Sequence, residues 1–279
     1  MKNNNPYKLC VAPMMGHTDM HFRYLLRLIS KKTMLYTEMV ASNAILHNKS
    51  KKLNKLEHFN DEPVGFQLGG DNPEQLAKCA KIVESYGYNE ININIGCPSK
   101  RAQSGNFGAC LFNQPKLVAS CANEIAKVTS LPITVKTRLG IDNLDDISYL
   151  QDFINIVSNT GVNTFHLHAR KAILKGLNPK QNRDVPPLNY QRVKLLKNRL
   201  KDKVKIIDFA CGTGLVGLNL KIEGFNDITG WDISEKMLEQ AKQKECYRLL
   251  EKHQLCHDTD FTIKHVHRQA YDFVTCCGL

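Results

Sequence analysis

Isoleucine and asparagine alternate through Glu90-Ile91-Asn92-Ile93-Asn94-Ile95, and the run ends in Gly96-Cys97-Pro98-Ser99. A period of two sends Ile91, Ile93 and Ile95 to one face of a strand and Asn92, Asn94 and Gly96 to the other. Similar runs predict strands at Lys8–Met14, Met34–Met39, Pro63–Gly69, Glu90–Cys97, Pro132–Arg138 and Thr164–Ala169. Helix-like stretches lie between them, at His21–Ser30, Pro73–Tyr86, Pro115–Thr129, Asp145–Thr160 and Tyr190–Leu200. Repeated strand-then-helix units imply a parallel sheet.

The alternation also bears on which parallel fold this is. A doubly wound sheet, covered by helices on both sides, should read almost continuously apolar. Here each strand pairs an apolar face with a polar one. Val64, Phe66 and Leu68 oppose Gly65, Gln67 and Gly69; Ile133, Val135 and Thr137 oppose Thr134, Lys136 and Arg138; Phe165, Leu167 and Ala169 oppose Thr164, His166 and His168; Leu35, Thr37 and Met39 oppose Tyr36, Glu38 and Val40. The simplest geometry is a (β/α)8 barrel with about six such units, its apolar faces under helices. Glu38, Gln67, Asn94, Lys136, Arg138 and His168 would then converge at one mouth.

These side chains carry the candidate chemistry. Cys97 stands between Gly96 and Pro98 at a strand end, where a thiol is better placed to react than to pack, although isolated cysteines are mostly inert core residues. Lys136 and Arg138 share a strand face, and two inward cations are costly unless polar or anionic groups meet them; solvated cations on an edge strand are the alternative. His166 and His168 also share a face, but no carboxylate or cysteine with metal spacing lies beside them, so no metal site is expected. Amide, lysine, arginine and histidine groups around one thiol suit a planar heterocycle with polar edges. A cation near a flavin's pyrimidine end would stabilise the reduced ring, and a facing thiol can act as a general acid.

Composition narrows the partners. The 279-residue chain is 42% hydrophobic with a formal charge of +11. Residues 1–200 hold 27 Lys+Arg against 15 Asp+Glu, and the remainder 11 against 12. The excess charge of the first part suggests a polyanionic partner such as nucleic acid, against a plain lysine-rich surface. Ten cysteines occur without a C-x-x-C pair, an apolar signal core or a span of membrane length. Reduced thiols in a cytoplasmic protein are therefore expected.

Six motifs follow in order at barrel spacing: Ala12-Pro13-Met14-Met15, Tyr36-Thr37-Glu38-Met39, Gln67-Leu68-Gly69-Gly70, Asn94-Ile95-Gly96-Cys97-Pro98-Ser99, Val135-Lys136-Thr137-Arg138 and His168-Ala169-Arg170-Lys171. Together they resemble the tRNA-dihydrouridine synthase family. Gly105-Asn106-Phe107-Gly108-Ala109-Cys110-Leu111 and Asn182-Arg183-Asp184-Val185-Pro186-Pro187-Leu188 resemble its A-type branch. The resemblance implies a flavoprotein that reduces uridine to 5,6-dihydrouridine in the tRNA D-loop, using FMN and NADPH. It implies that Pro13, Met14 and Met15 line the FMN ring, that Gln67 and Lys136 hydrogen-bond its edge, and that His168 contacts the cofactor. Asn94 and Arg138 would hold the target uracil, and Cys97 would donate the proton. The base must leave its stack to reach a recessed flavin.

The resemblance stops near Leu200, where the family carries two more strands with phosphate-binding turns and a helical tRNA-gripping domain. Instead the chain reads Lys205-Ile206-Ile207-Asp208-Phe209-Ala210-Cys211-Gly212-Thr213-Gly214, a helix from about Leu215 to Glu223, and a strand ending in Gly230-Trp231-Asp232-Ile233-Ser234. A glycine turn followed about 20 residues later by an acid suits a nucleotide-like ligand. With Tyr271-Asp272-Phe273-Val274, this segment resembles a truncated class I S-adenosylmethionine-dependent methyltransferase. Asp208, Gly212, Gly214 and Asp232 would then contact S-adenosylmethionine. Cys256, His257, His265 and His267 read as irregular loop residues rather than a metal cluster.

The expected architecture is thus an incomplete TIM barrel over residues 1–200, followed by a truncated Rossmann-like βαβ methyltransferase segment over residues 201–279. One account treats this as a join of two incomplete domains. A second lets the new strand–turn–helix–strand replace barrel strands seven and eight, with its glycine turn accepting a phosphate. Three functions remain in view: a tRNA-dihydrouridine synthase, a methyltransferase fragment and a non-catalytic RNA-binding remnant.

Overall fold

Every expected barrel strand forms, and each pairs in parallel with its neighbour in the computed structural model, which describes residues 7–47, 56–201, 204–253 and 271–276. The strands are β1 (Cys10–Val11), β2 (Met34–Tyr36), β3 (Val40–Ala41), β4 (Val64–Gly69), β5 (Glu90–Ile95), β6 (Ile133–Arg138) and β7 (Thr164–His168). They run in the order β1-β2-β4-β5-β6-β7, with β3 beside β4, as a curled half-barrel. This sheet belongs to the first of two compact units, Met1–Arg192; the second is Val193–Leu279.

The helices between strands follow from their caps and apolar spacing. Helix α1 spans Met20–Ile29 and α2 spans Ser42–Leu46. Helix α3 (Pro73–Ser85) starts with proline in its first turn, where the missing N–H costs nothing, and Asn72 Oδ1 accepts the Gln75 N–H. Its residues Leu76, Ala77, Cys79, Ala80 and Val83 recur every three or four positions and are buried. After α4 (Lys100–Ser104), α5 (Pro115–Ala126) and α6 (Ile147–Ser158) bury Val118, Cys121, Ile125, Leu150, Phe153 and Val157 in the same way.

The second strand is shorter than the alternation suggests. It ends at Tyr36, because Thr37 turns its hydroxyl to the backbone, accepting the Gln67 N–H and donating to the Glu38 carbonyl. A hydroxyl that captures backbone groups competes with the ladder. Glu38 therefore leaves the strand faces altogether.

Short helix α7 (Gln181–Asp184) and then α8 (Tyr190–Lys201) follow β7. The second unit holds β8 (Lys205–Phe209), α9 (Leu215–Ile222), β9 (Asp227–Asp232), α10 (Glu235–Lys242), β10 (Leu249–Lys252) and β11 (Phe273–Cys276). Its parallel sheet has the order β10-β9-β8-β11. Strand β8 has β9 on one side and β11 on the other. With both edges taken, it cannot extend the first sheet, which overturns the expectation that it replaces a barrel strand.

Candidate active site

Strand β5 sets the register of the site. Asn92 lies opposite Thr134 and Gln67, Asn94 opposite Lys136, and Arg138 opposite His168. Because all strands are parallel, their C-terminal ends rise on one side. The polar face was expected to open on the mouth, yet most of it is sealed: Asn92 is 0%, Gln67 1% and Asn94 8% exposed. It tolerates burial because the side chains satisfy one another. Gln67 Nε2 donates to Asn92 Oδ1 at 2.7 Å, Asn92 Nδ2 to Thr134 Oγ1 at 2.7 Å, and Asn94 Nδ2 to Gln67 Oε1 at 2.7 Å.

The loop after β5 is held from three sides. Asn94 Oδ1 accepts the N–H groups of Gly96 at 3.0 Å and Cys97 at 2.9 Å. The Cys97 carbonyl accepts the Ala109 N–H at 2.9 Å, and Arg138 Nε donates to the Gly96 carbonyl at 3.0 Å. A Cβ at Gly108, whose φ is +76°, would stand 2.6 Å from the Cys97 carbonyl oxygen, so only glycine fits there. The Cys97 thiol is half-buried, with Sγ 3.4 Å from Ser99 Oγ.

A cavity of about 450 Å³ opens above these residues. Pro13, Met14, Met15, Gln67, Asn94, Cys97, Lys136, Arg138 and His168 all line it, so the structure gathers these nine residues singled out in the sequence. Glu38 is the exception among the charged positions expected at the mouth. It lines a separate cavity and accepts the Gly16 N–H at 2.5 Å. Phe107, Arg101 and Arg183 also border the main cavity and were missed. Phe107 lies in a loop, and Arg101 and Arg183 lie on α4 and α7, each too short to show an apolar period.

The electrostatics are unbalanced toward positive charge. No hydrogen bond or ion pair from a described residue meets the Lys136 ammonium. Burial, and then the Arg138 charge, push Lys136 down to about 8. Arg138 is 4% exposed, and its Nη1 donates to the carbonyls of Lys171 and Asn182. Burial first, and the neighbouring cations after it, push His168 down to about 4; His166 is likewise pushed to about 4, so both are neutral near pH 7. Two further cations of this unit, Arg23 and Arg27, are buried at 3% and 8% exposure and bond Asp61, so they add nothing to a phosphate-binding surface.

In the second unit the glycine turn follows β8. Asp232 Oδ2 accepts the Gly212 N–H and its Oδ1 the Ser234 N–H, both at 2.8 Å. Asp208 is 1% exposed and accepts the hydroxyls of Tyr247 and Thr275 at 2.7 Å each. Space opens only at Gly212, where an added Cβ would meet nothing nearer than 4.0 Å. At Gly214 it would meet the Tyr247 ring and Ala241 at 3.0–3.1 Å. The His and Cys positions 256, 257, 265 and 267 lie outside the described residues.

Comparison with known proteins bears on both units. A family model described as dihydrouridine synthase matches residues 10–208, and one described as a methyltransferase domain matches residues 206–279. A Synechocystis protein named tRNA-dihydrouridine(20/20a) synthase is 53% identical over 189 residues, covering 68% of this chain and 56% of its own length. Proteins of the same name from Salmonella typhi and Escherichia coli K12 are 54% and 53% identical, over 68% of this chain and 57% and 55% of theirs. The chain thus spans little more than half the length of these curated relatives.

Proposed function

The chain belongs to the dihydrouridine synthase family, and we propose that its first unit reduces uridine to 5,6-dihydrouridine in tRNA, as a cytoplasmic FMN-dependent enzyme drawing on NADPH. One observation carries this reading: nine side chains from separate strands and loops border one cavity, and the lysine ammonium among them has no partner among the described residues. A half-buried cation with no partner among the described residues is costly, so its persistence points to a ligand with an electron-rich edge.

The residues fit a flavin ring. Met14 and Met15 offer polarisable, exposed surface for stacking, and Gln67 and Lys136 offer N–H donors to the ring edge. Neutral His168 adds no further positive charge. When bound, FMN supplies a hydride for C6 of the base. The chain's own contribution is to hold the extruded uracil with Asn94 and Arg138 and to exclude water. The Cys97 thiol then gives its proton to C5, leaving a thiolate that Lys136 and Arg138 stabilise before solvent restores the proton. Exposed Arg101 and Arg183 at the rim would meet tRNA phosphates, making binding salt-dependent. Cys97→Ala is expected to lower uridine reduction by about 10²–10⁴-fold while the purified protein keeps its flavin absorbance. Equal activity in that variant would sink the assignment of the thiol.

A second reading assigns S-adenosylmethionine binding to the second unit, favoured by the open space at Gly212 beside Asp232. Gly214 does not fit it, because Tyr247 occupies the approach. Calorimetric titration with S-adenosylmethionine tests it: binding present in the natural chain and absent in Asp232→Ala supports the reading, and no heat from either removes it.

A further inference from the structure

We propose that Thr134, Asn92, Gln67 and Asn94 form a one-way hydrogen-bond relay, running from the backbone N–H of Cys97 down to the Glu90 carboxyl, that positions the thiol from beneath. Its importance for catalysis rests on Cys97 being the proton donor; its geometry does not.

The direction follows from the two ends. Backbone N–H groups can only donate, so Asn94 must turn its oxygen toward Gly96 and Cys97. Its amide nitrogen then faces Gln67 Oε1, Gln67 Nε2 faces Asn92 Oδ1, and Asn92 Nδ2 faces Thr134 Oγ1. Thr134 has one hydrogen, and it goes to Glu90 Oε1 at 2.5 Å. Glu90 accepts two more hydroxyls, from Tyr36 and Tyr7, each at 2.8 Å. Three donors take three of the four lone pairs of this carboxyl, so the lower end accepts from Thr134 in either protonation state, and burial raises its pKa. Every amide orientation between is thereby decided, with no freedom to flip. Because Tyr36 gives its hydrogen to Glu90, His166 Nε2 must donate to the Tyr36 oxygen at 2.9 Å.

The members are sealed from water: Asn92 is 0% exposed, Thr134 1%, Gln67 1% and Glu90 2%. In such surroundings a chain of same-direction hydrogen bonds polarises each link, and breaking one strands a buried donor or acceptor. The relay also restricts what Asn94 can do in the cavity. Both lone pairs of its oxygen are taken by Gly96 and Cys97, and one amide hydrogen by Gln67. What remains is a single N–H, which suits a carbonyl oxygen of a pyrimidinedione and cannot accept from its ring N–H. Asn94 is thus a positioning residue for the thiol and a donor-only contact for the base.

Amide hydrogen exchange, resolved by NMR on the whole chain without flavin or tRNA, tests the relay. Thr134 does not border the cavity, so Thr134→Val cuts the relay without touching a ligand contact, while Thr134→Ser keeps the hydroxyl. The valine variant is expected to exchange the Gly96 and Cys97 amides about tenfold faster, the scale of one internal hydrogen bond. The serine variant should match the natural chain, and the Ile93 amide should be unchanged in both. Natural rates at Gly96 and Cys97 in Thr134→Val, or equal acceleration along all of β5, would overturn the proposal. Should the valine variant fail to fold, Glu90→Gln decides: it preserves shape, replaces one accepting oxygen with an amide nitrogen and is expected to accelerate the same two amides about threefold, less than a lost hydrogen bond. No change there rejects the relay. Since the readout needs no turnover, its failure is separate from any failure of uridine reduction in the Cys97 experiment.

Discussion

Strand ends in the two units carry the same kinds of side chain and treat them in opposite ways. In the first, Lys136 keeps an ammonium with no partner among the described residues, and the loop bearing Cys97 is braced around an open cavity. In the second, both candidate carboxylates are already engaged: Asp208 by two hydroxyls, Asp232 by two backbone N–H groups. Tyr247 donates to Asp208, bonds the Gly217 N–H and fills the approach to Gly214. One site holds unmet hydrogen-bonding capacity, and the other has largely met its own. A motif marks where chemistry can stand; its unpaired atoms show whether a ligand is still needed.

Substitutions should separate the two cases. The largest effect is expected for Asp208→Asn, which turns an amide N–H toward a hydroxyl that formerly donated. Losing one buried charge-assisted bond should destabilise the second unit by about 2–3 kcal/mol. The chain has one tryptophan, Trp231, on β9 of that unit, so urea unfolding followed by its fluorescence reads this directly. A shift near zero would mean that Asp208 is not a structural brace.

Lys136→Met should do the reverse. Removing a desolvated cation that no described residue pairs is expected to leave the first unit as stable or more so, while flavin affinity falls about tenfold through loss of a charged donor. Fluorescence titration with FMN measures the affinity. Strong destabilisation with unchanged flavin binding would erase the contrast between the units.

The smallest effects concern pH. His166 and His168 lie near 4 when folded against an ordinary 6.5. Between those values the unfolded chain binds more protons at these two groups, so their contribution is complete above pH 6.5 and declines as pH falls toward 4. His58, raised by its bond to Asp61, contributes below 6.5 and loses that as pH rises. Lys136 sits near 8 against 10.5, so its own contribution climbs from pH 8 upward, opposed above pH 9 by Cys79 and Cys121, which burial pushes up to about 12. Lys136→Met should lose the alkaline rise and keep the acid decline, as followed by circular dichroism. Trp231 stacks on His253 at 4.0 Å between ring centroids, so circular dichroism and not tryptophan fluorescence is the readout for the acid decline, and absence of that decline would remove the histidine effect.

Much of the fold was legible because period-two alternation is a local property of extended backbone. Ile91, Ile93 and Ile95 were readable as one face, and Asn92 and Asn94 as the other, without knowing any neighbour. The cavity residues were readable for a related reason: parallel strands raise all their C-terminal ends to one side, so Gln67, Asn94, Lys136 and His168 had to gather. Glu38 misled because Thr37, one residue earlier, takes backbone hydrogen bonds and ends the strand. Arg101 and Arg183 were not singled out because α4 and α7 are about one turn long and show no apolar period.

Sequence alone determined which residue types face which side, and where one family's pattern gives way to another's near Leu200. Only tertiary structure decided which polar atoms remain free. Asn94 binds the loop of Cys97 because register places Gln67 behind it, and β8 closes into its own sheet because β9 and β11 take both its edges. Pairing of this kind depends on groups brought together across tens of residues, and no local periodicity encodes who meets whom.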